Sequence, residues 1–292
     1  MIHFSLLLEK NQKYVTFPFY KNGQLLRNAP LCGLTLKAAS SMRFRWNEKN
    51  LRRESMLLEI AKKSEKNHLE PVSLELIHSR IVYDLVSGRE TFQAQGDGMI
   101  TKNPSLMPVV TVADCMPLYF YNSRNGLFGL VHSGWKGTGI IDDAIKLACK
   151  NYEGRPEDFS LVIGPHIRDC CYIVNEERAE YFCSNFGSEC VRPLEDGGVC
   201  RAGGRGLAVK WNNGGGKLYR LSLEKANLSV LEKAGIPEKN IAICDDCTCC
   251  NELLGSNRRE TADFLLKNPE KAGDKDVLGR CFTVQAAFIG LI

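Results

Sequence analysis

The chain is poor in histidine: five in 292 residues leave little room for chemistry that needs many imidazoles. It also lacks an excess of either charge. Its 38 basic and 34 acidic residues give a net charge of +4, too small over such a surface to mark a nucleic-acid partner. No apolar run approaches the ~20 residues that cross a bilayer, so no membrane partner is expected. The first ten residues, MIHFSLLLEK, have one short apolar stretch, no basic lead and no small-residue cleavage site, so they do not read as a secretory signal. Neither an internal repeat nor a GxxxxGK[ST] phosphate loop is present. With 44% hydrophobic and 25% charged residues, the composition excludes a disordered, collagen-like or coiled-coil chain.

What the chain does have is cysteine. Thirteen is an odd number, so they cannot all pair internally, and the chain is large enough to build a core without disulfide staples. These features predict a cytoplasmic protein with reduced thiols. Each cysteine is then a core residue, a metal ligand or a nucleophile.

Residues 1–70 are the least regular, with a helix expected over Glu54 to Lys63. Beyond them strands and helices alternate. Strands are predicted at Leu74 to Val82, Pro108 to Tyr121, Leu127 to His132, Phe159 to Ile163, Leu218 to Leu221, Ile241 to Cys244 and Phe282 to Leu291. Helices are predicted at Ile140 to Tyr152, Asn175 to Phe186 and Leu223 to Ala234. The Gly-rich stretch Asp196 to Lys217 reads as surface loops or a hairpin. The whole, residues 1–292, reads as one α/β domain with helices packed on a large mixed sheet.

Three residues invite chemistry. His78 and His132 fall at strand ends, and Cys115 falls inside an apolar run just before Pro117, which is expected to distort its strand. A thiolate and two neutral imidazoles can hold zinc and leave a fourth position open. The same residues can form a Cys–His hydrolase in which His132 deprotonates Cys115. Spacing leaves both readings open beside a third, a buried cysteine and two hydrogen-bonded histidines.

The run Cys244-Asp245-Asp246-Cys247-Thr248-Cys249-Cys250 suggests a second metal or a redox pair. A zinc ribbon needs another CxxC ~15–20 residues away, and none follows. Cys170-Cys171 would join it only if the fold brought them together. Asp97 lies in an ordinary Asp-Gly turn. Arg258 with Arg259, and Lys136 between two glycines before a helix, are candidate anion contacts.

The ordered segments ending at His78, Gly96 to Thr101, Thr111 to Pro117 and His132 to Gly137 carry a resemblance. Gly164 to Val174, Cys247-Thr248, Ser256 to Glu260 and Gly279-Arg280 continue it. Together, over residues 70–292, they resemble the laccase-domain family, long labelled multicopper polyphenol oxidase and associated with purine nucleoside phosphorylase and adenosine deaminase activity. The resemblance implies a single α/β/α layered domain, related to bacterial toxins with a Cys–His pair. It implies zinc on His78, Cys115 and His132. The implied reaction is phosphorolysis of adenosine, inosine, guanosine or methylthioadenosine, with phosphate as co-substrate and adenosine deamination as a second activity. In that scheme Cys115 is catalytic as well as a ligand. Lys136 and Arg258 contact oxyanions, and Asp97 holds base or ribose. Copper could also occupy a thiolate site, although five histidines do not build a multicopper cluster.

Residues 1–70 diverge from the family pattern. Leu76 stands where the family has glutamine, Asn257 where it has tyrosine, and Thr261 to Leu278 are inserted. Three alternatives stand beside the nucleoside reading: a thiol hydrolase, a copper-binding polyphenol oxidase, and a non-catalytic metal-binding relative.

Overall fold

Alternation along the strands sorts the apolar side chains into separate interiors. In the strand Met116–Asn122, Met116, Leu118 and Phe120 face one interior, while Tyr119 and Tyr121 face another. In Gln285–Gly290, Ala287 and Ile289 join Tyr119, and Ala286 and Phe288 face a third cluster. A sheet with apolar residues on both faces must be covered on both. The computed structural model describes residues 1–63, 69–194 and 216–291. Residues 196–215 of the Gly-rich stretch lie outside them.

The main sheet has seven strands in the order Ile2–Phe4, Ile241–Cys244, Phe159–Ile163, Met116–Asn122, Phe128–Ser133, Gly98–Thr101 and Val82–Leu85. Its pairings are mixed: parallel at both edges, antiparallel through the middle. On one face pack the helices Ile140–Tyr152, Glu176–Phe186 and Leu223–Lys233. Phe120 is fully buried there, which contributes roughly 2–3 kcal/mol. The other face packs on a five-stranded sheet, in the order Tyr14–Phe17, Leu31–Thr35, Gln285–Gly290, Leu106–Val112 and Glu70–Ser73. The helix Leu51–Ala61 covers the far side of that second sheet with Met56, Leu57 and Ile60. The architecture is the expected mixed α/β one, layered as helices, sheet, sheet, helix.

Several local expectations change. The apolar run Pro108 to Tyr121 is two strands, not one. Leu106–Val112 belongs to the second sheet and Met116–Asn122 to the main sheet, and the chain crosses between them at Ala113-Asp114-Cys115. The break lies before Pro117, which keeps its place in the ladder opposite His132. Asp114 makes the turn with φ 80°, in the left-handed region. The predicted strand Leu74 to Val82 is mostly loop: strands occupy Glu70–Ser73 and Val82–Leu85, and His78 between them has φ 58°. The N-terminal residues are regular after all, since Ile2–Phe4 extends the main sheet and two further strands build the second.

Candidate metal centre

Four turns meet at one end of the main sheet. The loop before Val82–Leu85 carries His78, and the residue just before Gly98–Thr101 is Asp97. The crossover carries Cys115, and Phe128–Ser133 carries His132 near its end. The His132 amide donates to the Asp97 carbonyl at 2.7 Å, which fixes these two strand ends side by side.

The three predicted ligands come together. One ligand atom from each of His78, Cys115 and His132 lies within 4.8 Å of the other two. The imidazoles meet edge to face, with ring centroids 4.9 Å apart. His132 is buried, Cys115 half-buried and His78 exposed, so the centre opens on the His78 side.

Asp97 is fully buried, and its carboxylate is saturated. It accepts from His132 Nδ1 at 2.9 Å, from the His78 and Ser79 amides at 3.0 and 2.6 Å, and from the Ser79 hydroxyl at 2.7 Å. With Nδ1 engaged, His132 has Nε2 left for the cysteine, an arrangement typical of histidine ligands backed by a carboxylate. The same carboxylate holds the backbone on either side of His78 in its left-handed turn.

The electrostatics follow from this packing. Burial pushes the Cys115 thiol up, but His132 and His78 pull it down further, to about 6. Burial pushes His132 down, and Cys115 and Asp97 more than offset it, raising it to about 10. The metal-free centre therefore favours a thiolate beside an imidazolium.

The donor set suits zinc, which takes thiolate and imidazole at ~2.0–2.3 Å. The cradle is tight on one side. A Cβ at Gly134 would stand 2.8 Å from Cys115 Sγ and 3.3 Å from His78 Cδ2. Only glycine lets the backbone pass this close.

Two cations flank Tyr172. The Arg178 guanidinium stacks on Trp135, 3.8 Å from the ring centroid, and donates to the Tyr172 hydroxyl at 3.4 Å. Arg258 approaches the other part of Tyr172, 5.7 Å from its ring centroid. Burial raises the Tyr172 hydroxyl, and the charge of Arg178 opposes this. Sequence reasoning missed Arg178, which looks like an ordinary residue in the first turn of the helix capped by Asn175. Tyr172 lies within Gly164 to Val174, where nothing in the sequence marks it.

The remaining candidates fall elsewhere. Lys136 is exposed, and its ammonium lies 5.6 Å from the Trp135 centroid. The helix start at Ile140 already has Asp142 and Asp143 in its first turn, and Arg80 pairs with Asp143. The Arg258-Arg259 pair is split in role. Arg259 is buried and donates to the carbonyls of Thr248, Cys249 and Asn251 at 2.8, 3.0 and 3.0 Å. Asp114 ties the crossover down, accepting from the Thr248 hydroxyl at 2.7 Å and the Arg258 amide at 2.6 Å.

These features define an α/β protein with two large packed sheets and a thiolate–imidazole centre at the strand ends. The chain belongs to the family described as multi-copper polyphenol oxidoreductase laccase, whose model matches residues 48–264. Among curated relatives, the purine nucleoside phosphorylase YlmD of Geobacillus stearothermophilus is 31% identical over 167 residues. That match covers 56% of this chain and 55% of the relative. The purine nucleoside phosphorylase of Borreliella burgdorferi is 36% identical over 187 residues, 64% of this chain and 72% of the relative. The chain thus spans little more than half the length of the first of these relatives. The crystal structure of YlmD from G. stearothermophilus superposes with a TM-score of 0.68 at 22% identity, covering 94% of this chain and 99% of that one. The structure of YfiH from Bacillus licheniformis gives 0.69 at 21%, covering 91% and 97%. At these identities the two structures establish the fold. No helix among the described residues is long and apolar enough to cross a membrane.

Proposed function

We propose that the chain is a zinc-dependent purine nucleoside phosphorylase, acting on adenosine, inosine, guanosine or methylthioadenosine with phosphate, and deaminating adenosine as a second activity. The observation that carries the reading is the open His78–Cys115–His132 centre, with Arg178 stacked on Trp135, the neighbour of Gly134, and Arg258 tied through its amide to Asp114, the neighbour of Cys115. A thiolate–imidazole centre alone suits many reactions. Two arginines so placed suit one that takes an anion, since guanidinium forms paired, charge-assisted hydrogen bonds to phosphate.

His78, Cys115 and His132 would hold the ion, which supplies a Lewis acid at this centre when bound. Arg178, kept in place by Trp135, and Arg258 orient the phosphate. Phosphorolysis then joins a phosphate oxygen to the ribose carbon as the purine leaves. Asp97 acts through His132 as a positioning residue, because its oxygens are already spent on protein donors. Lys136, exposed on Trp135, serves as an outer cation that draws in phosphate. A reducing cytoplasmic setting suits a centre that depends on a free thiol.

The test is metal content by mass spectrometry, together with purine release from nucleosides with and without phosphate. One zinc removed by Cys115→Ser, with base release that needs phosphate, supports the reading. Turnover unchanged in Cys115→Ser overturns it. One observation favours a second reading, a Cys–His thiol hydrolase: Asp97, His132 and Cys115 stand in the order carboxylate, imidazole, thiol. Activity that persists after metal removal and is abolished by iodoacetamide would select it.

A further inference from the structure

Away from that centre, two distant segments bring four cysteines together. Cys170 and Cys171 come from the turn after Ile167, and Cys247 and Cys250 from the turn after Ile241–Cys244. All four sulfurs lie within 4.8 Å of one another. Cys170 is 3.7 Å from both Cys171 and Cys250, and Cys171 is 3.3 Å from Cys250. A tetrahedral zinc with Zn–S bonds of ~2.3 Å spaces its sulfurs about 3.8 Å apart. A disulfide needs ~2.05 Å. A four-iron cluster carries its thiolates on separate irons, farther apart than these.

The surroundings are built for ligation. The Cys250 and Asn251 amides both donate to the Cys247 carbonyl, at 3.1 and 2.9 Å, closing the CxxC turn on itself. The Arg168 amide donates to Cys247 Sγ at 3.4 Å, an outer contact of the kind that steadies a thiolate ligand. The Cys171 and Tyr172 amides both donate to the Arg168 carbonyl at 2.9 Å, forming the second turn. Two arginines brace the backbone of these turns, Arg168 being also paired with Glu224 and Asp245 at 3.0 and 3.1 Å. Arg220 donates to the Asp169 and Cys170 carbonyls at 3.2 and 2.8 Å, and Arg168 to that of Cys244 at 3.2 Å. Cys250 is exposed beside an open cleft of about 1180 Å³, so an ion has a way in.

We propose that Cys170, Cys171, Cys247 and Cys250 bind one structural zinc ion, separate from the ion of the His78–Cys115–His132 centre. The ion staples two segments that border that centre. Cys171 adjoins Tyr172, the partner of Arg178. Cys247 adjoins Thr248, which holds the Asp114 carboxylate in the crossover. Cys244 and Cys249 are buried and stand outside the set of four.

The experiment is metal analysis of the full chain, purified without chelators and with thiols kept reduced. Two zinc ions per chain are expected. The Cys250→Ser chain should lose one of them and keep the one that Cys115→Ser removes. Failure of the nucleoside reading would therefore appear in the Cys115→Ser arm alone. Cobalt loading gives a second readout that leaves the four cysteines untouched. Cobalt loaded into reduced Cys115→Ser protein after its zinc has been stripped should give the intense sulfur-to-metal charge-transfer absorption of a four-thiolate tetrahedral site. Absence of that absorption would overturn the proposal, even if Cys250→Ser fails to fold. So would equal zinc in the wild-type and Cys250→Ser chains, or an intact mass showing a disulfide among the four.

Discussion

Asp97 and His132 form a buried carboxylate–imidazole pair, with Oδ1 2.9 Å from Nδ1. The carboxylate fixes which ring nitrogen faces Cys115 and keeps the ring from turning. Asp97→Asn keeps the shape but replaces an oxygen acceptor or turns an amide donor toward the ring. Zinc affinity of the His78–Cys115–His132 centre should fall ~10–100-fold, as losses of such outer partners do. Chelator competition measures it, and unchanged affinity would count against a ligating His132.

Gly134 gives a steric prediction. In Gly134→Ala the new methyl meets Cys115 Sγ at 2.8 Å, closer than such contacts normally allow. Either the sulfur or the backbone must move. The variant should fold but lose most of the metal that Cys115→Ser also loses. Wild-type occupancy in the alanine variant would show that the loop has room to yield.

Asp114 combines a left-handed backbone with two buried donors. Asp114→Ala strains φ 80° and leaves the Thr248 hydroxyl and Arg258 amide without their acceptor. The expected loss is about 3 kcal/mol in urea unfolding. Asp114→Asn should cost less, because asparagine tolerates this backbone and keeps an acceptor oxygen. Equal losses in the two variants would contradict this account.

Tyr152 links the end of the helix Ile140–Tyr152 to the edge strand through Asp84. Burial and the Asp84 carboxylate push its hydroxyl up from 10.0 to about 12. Folding therefore holds a proton that the unfolded chain releases first. The contribution is complete below 10 and fades as pH rises through about 12. Wild-type stability should fall more steeply over that window than that of Tyr152→Phe. Parallel slopes in urea unfolding would rule the coupling out.

Local periodicity made much of the fold legible. The helix Ile140–Tyr152 and the strands Phe159–Ile163, Leu218–Leu221 and Ile241–Cys244 fall where the sequence predicts them. Their signals are repeats of apolar side chains, which each segment carries by itself. The crossover at Asp114 was not legible. Its turn is held by Thr248 and Arg258, far along the chain, and a single aspartate between apolar flanks does not announce a change of sheet. His78 read as a strand end for a similar reason: Asp97 holds its turn from another segment. The ligand trio stood out because short motifs surround each member. Arg178 did not, and neither did the joining of Cys170 and Cys171 to the CxxC turn, because both depend on how remote segments pack.

The crossover has one more consequence. Its sulfur is anchored to both sheets, since residue 112 ends a strand of one and residue 116 begins a strand of the other. His132 rides with the main sheet alone, whereas His78 lies on a loop that also joins the two sheets. Any sliding of one sheet over the other therefore changes the sulfur-to-nitrogen separation, though no ligand is altered. The interior between the sheets, where Val112, Tyr119 and Ala287 pack, acts as the gauge block of the centre. Substitutions there should be tolerated less well than their burial alone dictates, and the penalty should appear first in metal retention rather than in folding.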